Sequence, residues 1–85
     1  MKNIRTATIL LPLGETSLTL RYTLSRWDDG SYAISLQNRT TGEQVLISDL
    51  THSPALADRL FELLVRGSVT TITFRDVVED FLAAI

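Results

Sequence analysis

Apolar and polar residues alternate along the first half of this chain and recur every three or four positions along the second, with the change near Ser53. The clearest alternation runs over Thr16–Arg26. Leu18, Leu20, Tyr22 and Leu24 point one way, and Thr19, Arg21 and Thr23 the other. That two-residue period belongs to a strand with one buried face, and the threonines suit it because a branched Cβ fits the pleat. Ile4–Leu11 reads as an earlier strand. Tyr32–Gln37 repeats the alternation with Tyr32, Ile34 and Leu36, and Gln44–Ser48 reads as a fourth strand. Between them lie turn residues: Pro12, Gly14 and Glu15; Asp28-Asp29-Gly30; and the polar stretch Asn38–Gly42. Connections this short predict an antiparallel meander.

After Ser53 the period is helical. Serine caps a helix by accepting from its first free amides, and Pro54 fits the first helical position, where its missing N–H costs nothing. Leu56, Leu60, Leu63 and Leu64 predict the buried stripe, widened by Ala57 and Phe61. Glu62 and Arg66 stand at pairing distance, and Gly67 is placed to end the helix. Ser68–Ile72 has room for a short fifth strand. Thr73 with Asp76 then resembles a capping box, and Val77, Val78, Phe81, Leu82 and Ile85 predict the apolar side of a last helix. The expected fold is a single α+β domain over residues 1–85. It is a four-stranded antiparallel meander followed by two C-terminal helices on one sheet face. The opposite face, with Thr19, Arg21, Thr23, Ser35 and Gln37, is left to water unless a partner covers it.

Composition narrows the function classes. With 85 residues and 45% hydrophobic content the chain is long enough for one small core and too apolar for disorder. It has no cysteine, hence no disulfide and no thiolate metal site. Lys2 and Arg5 precede an apolar run broken by Thr6, Thr8, Pro12 and Gly14, which makes a poor signal peptide and is too short to cross a bilayer. A cytoplasmic protein with no membrane contact is expected. The net charge is −2, against the basic face on which most nucleic-acid affinity rests.

Candidate chemistry is sparse. His52, the single histidine, follows Asp49 closely, but no motif sets a nucleophile beside it. Asp76, Glu79 and Asp80 offer oxygen ligands, yet Asp76 suits the positive end of a helix and Glu79 can pair with Arg75. No catalytic residue, cofactor or metal is therefore expected. Trp27, beside a predicted hairpin tip, carries the large amphipathic surface typical of interface anchors. Arg21 and Arg39 are the basic residues closest to the polar sheet face, which holds none of the outward aromatics on which sheet-type RNA readers stack bases. The expected role is a non-enzymatic protein-interaction or regulatory module, with a protein partner or a second copy contacting Trp27, Arg21, Thr19 and Thr23. Binding of a small ligand or nucleic acid through the same Thr/Arg face is the alternative. An edge strand, the first or the fourth, offers a further route by strand addition.

Three segments carry a family resemblance. They are Leu11-Pro12-Leu13-Gly14-Glu15-Thr16, Thr41-Gly42-Glu43, and the run from Leu63-Leu64-Val65-Arg66-Gly67-Ser68-Val69-Thr70 through Arg75-Asp76-Val77-Val78-Glu79-Asp80-Phe81 to Leu82. With these the chain resembles a family of short bacterial proteins, mostly from clostridia and their relatives, known as a domain of unknown function. The resemblance implies a bacterial, cytoplasmic origin and supplies no activity.

Overall fold

The computed structural model describes residues 1–84. Four strands, β1 (Lys2–Leu13), β2 (Thr16–Arg26), β3 (Tyr32–Asn38) and β4 (Gln44–Ile47), are followed by α1 (Pro54–Arg66) and α2 (Phe74–Ala83). They form one sheet in the order β1-β2-β3-β4, each strand antiparallel to its neighbour. This is the expected meander with two helices behind it. None of the helices described is long and apolar enough to cross a membrane.

The strands shorten across the sheet, so the β1–β2 hairpin outruns the rest. The last β2–β3 pair is Leu20 with Asn38, whereas β1 and β2 stay paired to Leu13 and Thr16. Only Gly14 and Glu15 lie between those two residues. Gly14 takes φ +62°, the left-handed backbone that a two-residue hairpin turn requires at its first position. Pro12, expected in the turn, belongs to β1. It is tolerated there because β1 is an edge strand and its missing N–H breaks no ladder bond.

The core lies between the sheet and the helices. The inward row of β2, Leu20, Tyr22 and Leu24, is fully buried with Ile34 and Leu36 of β3. Ala57, Leu60, Phe61 and Leu64 close it from α1, and Phe74 and Val78 from α2. Ser53 caps α1 as expected, its Oγ accepting from the Leu56 amide at 3.3 Å. The Tyr22 hydroxyl donates to the Val69 carbonyl at 2.6 Å and ties the inter-helix segment to the sheet. Burial disfavours its phenolate and pushes its pKa up to about 12.

Four local expectations are corrected. Ser68–Ile72 forms no strand. Thr71–Thr73 are a turn leading straight into α2, and Ser68 takes φ +49°, outside the extended range. Leu63 is 45% exposed, because the buried arc of α1 is centred on Ala57, Leu60, Phe61 and Leu64. Gly67 caps the end of α1 as expected, its amide donating to the Leu63 carbonyl, at φ −80°, and the left-handed turn falls on Ser68. What Gly67 supplies is room, since a Cβ there would sit 3.2 Å from the Leu63 carbonyl oxygen. Thr73 precedes α2 with helical backbone angles, so its hydroxyl does not reach the free amides and the expected capping box is absent. Glu62 turns to Arg5 of β1 instead of pairing with Arg66 on its own helix. Phe74, overlooked in the sequence, is fully buried. Ile85, assigned to the α2 apolar face, lies outside the described residues.

Two measurements check this core. Leu60→Ala should cost about 2–5 kcal/mol in urea unfolding, and Leu63→Ala less than about 1 kcal/mol, the difference reporting which arc of α1 is buried. Spectroscopic titration should place the Tyr22 phenol near 12. The fold favours its neutral form, so this contribution to stability is complete below the ordinary value of 10.0 and is lost as pH rises toward 12.

Candidate functional site

The strand period that buries Leu20, Tyr22 and Leu24 sends Thr19, Arg21, Thr23 and Ser25 to the opposite side, where no helix packs. Register then decides what surrounds them. Arg21 lies between Thr8 of β1 and Gln37 of β3, and Thr23 between Thr6 and Ser35. Leu46 of β4 stands beyond Ser35, and Gln44 beyond Gln37. The result is a shallow depression of about 330 Å³ running across all four strands and floored by hydroxyl and amide groups. No carboxylate lines it. The Ser25 hydroxyl, bonded to Asn3 Oδ1 at 3.0 Å, closes one end. Arg21 is exposed at its floor and takes part in neither of the ion pairs found among the described residues, both of which belong to Arg5.

The structure thus brings two of the four expected contact residues, Arg21 and Thr23, into one site, and separates the other two. Thr19 lies beyond the depression, where its amide donates to Thr40 Oγ1 at 3.0 Å and its carbonyl accepts from the Arg39 amide at 2.8 Å. Its backbone anchors the β3–β4 turn. Trp27 sits past the end of β2, 37% exposed, between a small cleft shared with Lys2 and Arg26 and another shared with Ser48 and Asp49. His52 is exposed beside Gly30 and near Asp29. The Asp29 carboxyl lies below its ordinary range because the Ser31 amide and hydroxyl both donate to it, with His52 a lesser influence. Asp76, Glu79 and Asp80 are exposed on α2, and among the described residues no three acidic or histidine side chains converge as a metal site.

The helix side holds an arrangement that sequence reasoning missed. Arg5 shares the inward row of β1 with Ala7, Ile9 and Leu11, opposite Leu24. A cation in an apolar row is the signal that was available. Because β1 is the edge, the guanidinium rises past the core to α1. Nη2 donates to Glu62 Oε1 at 2.5 Å, Nη1 lies 3.5 Å from Asp58 Oδ1, and the group sits 4.6 Å over the Phe61 ring. The hydrogen bond from Arg5, more than the field of its charge, holds the Glu62 carboxyl below its ordinary range, and the same bond raises Arg5. A second depression of about 550 Å³ spreads over the outer side of α1 from Arg5 to Phe81, with Leu63 exposed within it.

A family model described as a family of unknown function (DUF6514) matches residues 13–84. No curated protein and no solved structure matches the chain.

The Arg5–Glu62 pair gives the helix side a pH signature. A depressed carboxyl contributes stability that is complete above the ordinary glutamate value of 4.5 and is lost as pH falls through its lower folded value. Arg5→Met should therefore melt below wild type at neutral pH, with the gap narrowing as pH drops below 4.5. Thermal unfolding followed by circular dichroism across that range checks it, and a gap of constant size would show that only the stem of Arg5 matters.

Proposed function

This chain belongs to DUF6514, a family of unknown function, and we propose that it works as a non-catalytic protein-interaction module whose docking surface is the bare sheet face around Arg21. One observation carries the reading: a cross-sheet depression without a carboxylate, with the exposed Arg21 guanidinium, which joins no ion pair among the described residues, in its lining, in a chain of net charge −2. The acids are placed elsewhere. Asp58 and Glu62 lie on α1 and Asp76, Glu79 and Asp80 on α2, with the remainder in turns and loops. The face therefore suits an acidic or hydroxyl-rich protein segment, whose carboxylate Arg21 can grip with two parallel N–H donors. Leu10 and Leu46, both exposed on the same side, supply apolar contacts at its margins. A bacterial cytoplasmic setting is part of this reading and rests on the sequence resemblance.

The experiment compares capture from the native cell by three immobilised forms: wild type, Arg21→Glu, and Arg75→Glu as an equal charge change on α2. A protein retained by wild type and Arg75→Glu but lost with Arg21→Glu is the expected result. Retention unaffected by Arg21→Glu overturns the docking face. Salt-sensitive retention of generic RNA or DNA by the same face moves the protein to the nucleic-acid class.

A further inference from the structure

β1 leaves half of its backbone unpaired. The Thr19 amide and carbonyl bond toward the β3–β4 turn, so Thr19 faces β3 and its neighbours Leu18, Leu20, Tyr22 and Leu24 face β1. Their opposite numbers on β1, namely Leu11, Ile9, Ala7 and Arg5, are used by that pairing. Thr6, Thr8 and Leu10 alternate with them and turn their N–H and C=O groups to the free edge. The open row has a limit at each end. Pro12, the next residue in it, has no N–H, and the register shifts between Asn3 and Arg5, at Ile4. Between these limits Thr6–Leu11 is uncharged, rich in strand-forming residues, and carries Leu10 at 67% exposure. The other edge is guarded: β4 has four residues and is followed by Asp49 at φ +60°.

We propose that β1 pairs antiparallel with β1 of a second copy of this chain, about a two-fold axis through Thr8, joining two four-stranded sheets into one. A two-fold contact must be self-complementary, and this stretch is. With the axis at Thr8, Thr8 meets its own copy, Thr6 meets the partner's Leu10, and Leu10 meets the partner's Thr6. Every open N–H in the row then finds an open C=O. Pro12 falls opposite the partner's Ile4, so the missing donor meets the irregular position, where regular pairing has already ended. On the helix side Ala7 packs against the partner's Ile9, both half-buried in the single chain. Charge agrees as well. Arg5, already held by Glu62 and Asp58, faces the partner's Leu11, and the Lys2 end of one strand runs toward the partner's Glu15 turn. The pairing goes beyond docking on the sheet face, because it uses backbone at the edge and leaves Arg21 uncovered.

Light scattering over a concentration series tests it, with two kinds of variant. Wild type should approach twice the chain mass. Thr8→Pro removes an outward N–H while leaving every β1–β2 hydrogen bond in place, and should weaken self-association about tenfold or more. Thr8→Cys should oxidise to a covalent dimer, since hydrogen-bonded opposite residues stand about 5.5 Å apart at Cα, within disulfide reach. The chain has no other cysteine to compete. Thr6→Cys, opposite leucine, should resist the same oxidation. A monomer at every concentration overturns the proposal and leaves the edge to a strand from another protein. So does a dimer untouched by a folded Thr8→Pro, or equal cross-linking of Thr6→Cys and Thr8→Cys. Arg21→Glu should leave the mass unchanged, which separates failure of the edge from failure of the docking face.

Discussion

The inward row of β2, Leu20, Tyr22 and Leu24, is the surface against which everything else in this protein packs. An 85-residue chain buries only somewhat over about 60% of its unfolded surface, so it can fill one core and not two. Both helices must therefore lie on the same side of the sheet, and α1 lies over β2 and β3. Tyr22 shows the economy of the arrangement. Its ring fills the core while its hydroxyl satisfies the Val69 carbonyl, so one side chain holds both the sheet and the segment between the helices.

One-sided burial explains the other features. The long hairpin projects past β3, and the inward row of its edge strand, Ala7, Ile9 and Leu11, is only partly buried against the core. Arg5 extends from that row with a long, partly apolar stem and a charged head that α1 meets with Glu62, Asp58 and Phe61. An exposed ion pair contributes little by itself. Here it is joined by ring stacking and fixes where α1 sits relative to β1, a matter of position more than of energy.

The same constraint leaves two surfaces open. With the core on one side, the outer face keeps Arg21 exposed beside half-buried Thr23, Ser35 and Gln37, and the free row of β1 keeps its amides unpaired. A natural edge strand is usually blunted by charge, proline or a bulge. β1 has a bulge and a proline at the ends of the open stretch and nothing in its middle. The proposed docking face and the proposed edge pairing are compatible in one molecule because they use different groups, side chains in the first and backbone in the second.

The sequence by itself determined the elements and their order. Alternation over Thr16–Arg26 and the three–four spacing after Ser53 are local consequences of backbone geometry, and the meander followed from connections too short for anything else. It also showed which β2 residues face outward, since strand parity needs no partner. What required the tertiary structure was every choice made between segments distant in the chain. Leu63 reads as part of the stripe, yet Ala57 and Phe61 bury instead, because the angle at which α1 meets the sheet selects the arc. Glu62 had a suitable partner in Arg66 four residues on and took Arg5, fifty-seven residues away, because packing brought it nearer. Thr19 and Trp27 share a strand period with Arg21, but the β3–β4 turn claims the backbone of one and the end of the sheet displaces the other. Local propensity acts through neighbours in sequence; these outcomes were settled by competition for burial and charge across the folded chain.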